Sequence, residues 1–252
     1  MTGVDGVEPG TGKMWASRAN CEAMRDIKRP YVICHMLPSI DGRIVTRGWD
    51  LQNASREYER TAATFDADAW IIGRISMEPY AGNARIPARK TRERIARADF
   101  VAEHDAASYA IAIDPSGKLR WRASDIDGEH VITILTESVS DAYLAFLRSK
   151  GVSYLFGGES RIDLAKVLQT LRARFGIKKL LLEGGGKING SFLAANLIDE
   201  LSILVAPIAD GSIGTPSLFD VADRRAHARS LRLLSMEKRS GGIVWLRYKV
   251  RR

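Results

Sequence analysis

Apolar positions along the chain fall into short runs separated by stretches with helical spacing. Tyr31-Val-Ile-Cys-His-Met-Leu37 is apolar almost throughout and is stopped by Pro38, which predicts a buried strand. Similar runs predict strands at residues 69–72, 109–113, 131–136, 152–156, 179–182 and 201–206. Ile162, Leu164, Val167, Leu168 and Leu171 form one apolar stripe, and Ile188, Phe192, Leu193 and Leu197 form another. Both stripes predict amphipathic helices. Helices are also expected from Asn53 or Ser55 to about residue 65, and over 140–150. Ser76 is placed to cap a further helix, and residues 78–92, with two prolines, Gly82, Asn83 and several arginines, predict a loop. Strands at 231–238 and 243–250, joined by Ser240-Gly241-Gly242, predict a hairpin. Residues 1–27 read as a flexible arm with a short helix near 15–24, and residues 28–252 as a single domain. The alternation predicts an α/β fold of three layers: a mostly parallel mixed sheet between helices, closed by a C-terminal antiparallel hairpin.

One stretch carries chemistry of its own, Leu180-Leu-Leu-Glu-Gly-Gly-Gly-Lys-Ile-Asn-Gly-Ser-Phe192. It predicts a strand, a glycine turn and a helix start. Glycine lets the backbone approach a ligand, and the first N–H groups of a helix lie unpaired at its positive dipole end. That is the outline of a phosphate site, with Glu183 at the carboxyl end of the strand, where open α/β sheets bind ligands. The triplet fits neither the G-x-G-x-x-G fingerprint, because Asn189 takes the last glycine position, nor the order of a P-loop.

Composition narrows the classes. The chain has 252 residues, 45% of them hydrophobic, enough for a sizeable core. Its formal charge of +8 is mostly scattered arginine, without aromatic residues interleaved on a basic face, so no nucleic-acid partner is expected. Phosphate-bearing small ligands suit the charge equally well. Cys21 and Cys34 suggest neither a disulfide frame nor a metal site, and no apolar run reaches 18 residues. A cytoplasmic protein with no membrane partner is expected.

Four segments stand in one order: Ser39-Ile-Asp-Gly-Arg43, Asp68-Ala-Trp-Ile-Ile-Gly-Arg-Ile-Ser76, Tyr109-Ala-Ile-Ala-Ile-Asp-Pro-Ser116, and Leu182-Glu-Gly-Gly-Gly186 with its helix. The last continues into Leu197-Ile-Asp-Glu-Leu201 and Ala206-Pro207. Over about residues 29–250 this resembles the reductase domain of riboflavin biosynthesis, a branch of the dihydrofolate-reductase-like fold. The resemblance implies an NADPH-dependent reductase, commonly a homodimer, acting on a small phosphorylated pyrimidine, a diaminopyrimidinone with a ribosylamino 5′-phosphate. It implies cofactor contacts from Pro38, Gly73, Arg74, Ser76, Ser116 and the turn-helix residues Gly184, Gly185, Gly186, Lys187, Ile188, Asn189, Gly190 and Ser191. Glu183, Asp41 and His35 are the implied catalytic candidates, and Ser39, Arg43 and Tyr80 the substrate contacts. His35 stands where the usual bacterial enzyme has a lysine, and Tyr80 falls about where the family has an aspartate. The zinc-deaminase motifs His-x-Glu and Pro-Cys-x-x-Cys are absent from the chain, so a stand-alone reductase is expected. An alternative keeps fold and cofactor but changes the acceptor to another carbonyl, imine or pterin-like compound.

Overall fold

The computed structural model describes residues 29–51, 53–86, 94–221 and 228–251. The expected N-terminal arm, its helix, Cys21 and residues 87–92 of the expected 78–92 loop lie outside the described residues. Ten strands form one sheet: β1 (Tyr31–Met36), β2 (Ala69–Gly73), β3 (Tyr109–Ile113), β4 (Asp125–Ile126), β5 (Glu129–Thr136), β6 (Ser153–Gly158), β7 (Lys179–Leu182), β8 (Glu200–Val205), β9 (Leu231–Lys238) and β10 (Val244–Val250). The order runs β4-β5-β3-β2-β7-β1-β8-β10-β9, with β6 also on β5. Strands β6, β5, β3, β2, β7, β1 and β8 are mutually parallel. The β10–β8 and β10–β9 pairs are antiparallel.

Among the described residues, five α-helices cover the sheet: α1 (Ala54–Ala63), α2 (Arg74–Ala81), α3 (Asp141–Ser149), α4 (Leu164–Phe175) and α5 (Gly186–Ala194). The two-residue period of the strands decides which layer each residue meets. Val32, Cys34 and Met36 pack with Val167, Leu168 and Leu171 of α4 and Phe192 of α5. Ile33 and Leu181 pack on the other side with Ala54 of α1 and Phe65 just beyond it. Met77 and Ala81 of α2 join Tyr143, Leu144, Phe146 and Leu147 of α3 in a third cluster over β3 and β5. Burying each large apolar side chain stabilises by roughly 1.5–3 kcal/mol, so these stripes, more than intrinsic propensity, hold the short helices in place.

Two local expectations are corrected. Residues 78–81 are helical, not loop. Met77 and Ala81 are both fully buried, and this i, i+4 pair outweighs the one backbone bond that Pro79 removes. The helix begins directly where β2 ends, so Gly73 occupies the N-cap position and Ser76 lies exposed in the first turn, not at the cap. The β4–β5 hairpin was not expected. Its turn is Asp127-Gly128, both at positive φ (51° and 88°), the backbone of a type I′ turn.

Because the parallel strands share one direction, their carboxyl ends gather at one edge. Ser39, Gly73, Asp114 and Glu183 therefore arrive together from four segments that are far apart in sequence. This is the crevice edge of an open α/β sheet.

Candidate active site

Two concavities among the described residues, each about 430 Å³, meet at three shared residues: Glu59, Tyr80 and Glu183. One is walled by Met36, Leu37, Trp49, Leu51 and Tyr58, the other by Trp70, Leu181 and the β4–β5 turn. Glu183 follows Leu181 by two residues and so points to the α1 side of the sheet. There it sits among Tyr58, Glu59 and Glu129. Burial raises its carboxyl to about 8, with Glu59 and Glu129 adding to the rise and the Tyr58 hydroxyl opposing it. At neutral pH the group is therefore largely in its acid form. The Tyr58 phenol is itself pushed up, first by burial and then by Glu183.

The glycine turn after β7 divides by environment. A methyl group on Gly184 would lie 2.5 Å from Ile72 Cα, so this glycine lets β2 and β7 approach. On Gly186 and Gly190 it would lie 2.2 Å from Ser217 O and 2.2 Å from Asp220 O. Those two make room for the 217–220 segment, which also accepts from Asn189 Nδ2 at Leu218 O (3.1 Å). Gly185 differs, since its nearest neighbour would be Ser76 Oγ at 3.9 Å. No packed side chain accounts for a glycine there, and it faces the start of α2.

Several expected contacts are thereby narrowed. Asn189 and Gly190 are buried against the 217–220 segment and turned away from the crevice. Ser191 Oγ donates to Lys187 O of its own helix (2.8 Å), and Lys187 is exposed. Ile188 packs on Gly73, where an added methyl would meet it at 2.9 Å. Pro38 is buried, with its carbonyl accepting from Ala206 N (2.8 Å). Arg74 pairs with Glu78 one turn along α2. Ser116 lies exposed beyond β3, where Asp114 accepts from Lys118 N (2.6 Å) and Leu119 N (2.8 Å). Tyr80 lines both concavities, its ring 5.7 Å from that of Trp70.

His35 and Asp41 are each held in hydrogen-bond networks of their own. His35 is fully buried on the same side of β1 as Ile33, beneath α1. Its Nε2 meets Tyr58 O (3.2 Å), an acceptor, so Nε2 carries the hydrogen and Nδ1 accepts from Ser202 Oγ (2.8 Å). Burial lowers its pKa to about 4, keeping the ring neutral. It is a support for Tyr58, whose hydroxyl donates to His35 O (3.0 Å), and not a group within reach of the crevice. Asp41 accepts from Ser39 Oγ (2.7 Å), Asp210 N (2.9 Å) and Gly211 N (2.9 Å). Those bonds hold its carboxyl well below the usual range, so it staples two loops and has no proton to give. Ser39 is spent in the same turn, accepting from Arg43 N (2.9 Å), while Arg43 donates to Thr215 O (2.9 Å).

The residues that sequence reasoning missed are Tyr58, Glu59, Trp70, Asp127 and Glu129. Only the last two had a signal, the Asp127-Gly128 hairpin dipeptide.

With this geometry in hand, known proteins supply a comparison. The family model described as RibD C-terminal domain matches residues 30–245. A 2,5-diamino-6-ribosylamino-4(3H)-pyrimidinone 5′-phosphate reductase of Archaeoglobus fulgidus is 24% identical over 221 residues, covering 86% of this chain and 96% of its own. A protein of the same name from Methanothermobacter thermautotrophicus is 26% identical over 194 residues, covering 76% and 84%. Among solved structures, a pyrimidine reductase-like protein of Corynebacterium diphtheriae superposes with a TM-score of 0.66 at 19% identity, covering 88% of this chain and 92% of that one. At that identity the likeness speaks for the fold alone.

Proposed function

The chain belongs to the RibD C-terminal domain family, and from that membership we propose that it is an NADPH-dependent reductase of riboflavin biosynthesis. Its substrate in this reading is the phosphorylated ribosylaminopyrimidinone named for its relatives, reduced to the ribitylamino compound. The observation that carries the reading is the neighbourhood of Glu183. An acid-form carboxyl at the junction of two cavities stands two residues from Gly185, the one glycine of the turn that no packed side chain explains.

The residues fit a dinucleotide. Gly185 and the first amides of α5 face the start of α2, so two helix N-termini converge on one place. Asp220 sits close over Gly186, which leaves the side toward Gly73, Arg74 and Ser76 for the phosphates. The Arg74–Glu78 pair is partly exposed and contributes at most about 0.5 kcal/mol, so a phosphate can draw Arg74 away. When bound, NADPH would supply the hydride for the sugar C1′ in its open imine or carbonyl form. Glu183 holds the proton that the developing charge on oxygen or nitrogen requires, and Tyr58, whose hydroxyl is held on His35 O, stands beside that carboxyl. Following NADPH oxidation at 340 nm with the ribosylaminopyrimidinone 5′-phosphate tests the reading. Oxidation matched by ribitylamino product is expected, and none under saturating conditions would remove it.

We propose further that the protein is a cytoplasmic homodimer, with no helix among its described residues long and apolar enough to cross a membrane. The support for a dimer is β9. It pairs with β10 along one edge, and a bulge opposite Arg247 and Tyr248 inserts Leu234 into its alternation. The extra residue keeps Leu231, Leu233 and Met236 on one face, opposite Val250, Tyr248 and Leu246, where they are 40, 51 and 68% exposed, and the unpaired Leu234 is 39% exposed. Such an edge invites pairing with a second copy. Multi-angle light scattering should give the mass of two chains for the wild type and of one for Leu233→Lys/Met236→Lys. A monomeric wild type at micromolar concentration would rule the interface out.

A further inference from the structure

The concavity beyond Glu183 differs from the rest of the crevice in both shape and charge. Its shape comes from two aromatic side chains, Trp70 and Tyr80, with ring planes inclined at 58° and centroids 5.7 Å apart. Trp70 Nε1 donates to Glu129 Oε2, which fixes the indole and leaves the second carboxylate oxygen for another donor. Its volume of about 430 Å³ suits a small ligand. Its charge is of one sign. Glu59, Asp66, Asp127 and Glu129 line it beside the acid-form Glu183, and no Lys, Arg or His does so among the described residues.

We propose that this concavity is the subsite for the amine-bearing heteroaromatic ring of the substrate, and that the substrate's phosphate is excluded from it. The assignment rests on the reductase reading above and fixes the direction in which the substrate lies. Ionised carboxylates only accept hydrogen bonds, so they match the N–H groups of an aminopyrimidine and repel a phosphate dianion. The tilted Trp70–Tyr80 pair offers apolar faces for a flat ring. The carboxylates of this wall also act on Glu183, since Glu59 and Glu129 both raise its proton affinity. A neutral or protonated amine placed among them relieves that repulsion, whereas a phosphate adds to it. The ring therefore fills the acidic side, the sugar crosses Glu183, and the phosphate extends toward solvent away from this wall. The carboxylates do not form a metal site, as no group of three metal-ligating side chains is gathered among the described residues.

Calorimetric titration of the full chain with 2,4-diamino-6-hydroxypyrimidine and, separately, with ribose 5-phosphate tests the subsite. The informative variant is Asp127→Asn/Glu129→Gln, because the amide introduced at position 129 keeps an oxygen for Trp70. The pyrimidine should bind the wild type and bind the variant at least about tenfold more weakly, a change of about 1.4 kcal/mol. Ribose 5-phosphate should bind the variant no more weakly than the wild type. Trp70→Leu should also weaken the pyrimidine. Equal pyrimidine affinity for wild type and both variants overturns the subsite, as does absence of pyrimidine binding to the wild type. Carboxylate-dependent pyrimidine binding without NADPH oxidation on the phosphorylated substrate would keep the subsite and remove the proposed reaction. Full turnover by the double variant at unchanged KM would keep the reaction and remove the subsite.

Discussion

Glu183→Gln is expected to lower kcat by about a hundred- to ten-thousandfold, the usual contribution of a positioned general acid, while NADPH affinity and substrate KM stay close to wild type. The amide matches the carboxyl in size and can still hydrogen-bond, but it has no acidic proton to give. The pH profile makes the test specific. A carboxyl raised to about 8 is protonated below that pH and ionised above it, so the wild-type rate should fall about tenfold per unit on the alkaline side. The groups facing Glu183 are Tyr58, Glu59 and Glu129, and the first is pushed up too far to titrate in this range. In the Gln variant the alkaline limb should vanish from the residual rate. Stability should move the opposite way. A carboxyl that binds its proton more tightly folded than unfolded makes the fold lose stability as pH rises from the unfolded value toward about 8. The Gln variant is therefore expected to melt higher than wild type at pH 8 and by a smaller margin at pH 5. Full activity with an unchanged alkaline limb would take Glu183 out of the reaction.

The reach of the sequence follows from which interactions are local. β1, β3 and β7 were legible because parallel strands buried on both faces read as unbroken apolar runs. The turn at 184–186 was legible because strand, glycines and helix are contiguous. What the sequence could not separate is why each glycine is there. Gly186 and Gly190 answer to Ser217 and Asp220, about thirty residues later in the chain, and Gly184 answers to Ile72. Asp41 looked like a catalytic acid in an Asp-Gly turn, and its actual partners, the amides of Asp210 and Gly211, come from some 170 residues away. His35 occupied a position with a functional resemblance. The strand period put it on the Ile33 side, but in a sheet covered on both faces nothing local says which side opens to the crevice. Tyr58 and Glu59 carry no motif at all. They matter because α1 crosses the end of β7, a fact of packing that no spacing along α1 encodes.

The same separation of glycines yields the second large effect. Gly185→Asp is expected to weaken NADPH by roughly five- to a thousandfold. The methyl position at residue 185 meets nothing closer than Ser76 Oγ at 3.9 Å, so the new side chain enters the crevice without displacing the core. There it places a carboxylate where the proposed cofactor phosphates lie, against two helix N-termini. Like charges about 4 Å apart cost about 1–4 kcal/mol between bulk water and a protein surface, which is the stated range in affinity. Gly184→Ala supplies the contrast. Its methyl would lie 2.5 Å from Ile72 Cα and 2.7 Å from Gly73 N, backbone that cannot give way cheaply, so about 1–3 kcal/mol of stability should be lost. Adjacent substitutions should thus part company, Gly184→Ala losing stability through its clash with β2 and Gly185→Asp moving the NADPH fluorescence titration to higher concentration. If Gly185→Asp melts like wild type and still binds NADPH as tightly, the backbone after β7 does not hold the cofactor, and the convergence of α2 and α5 on that point needs another explanation.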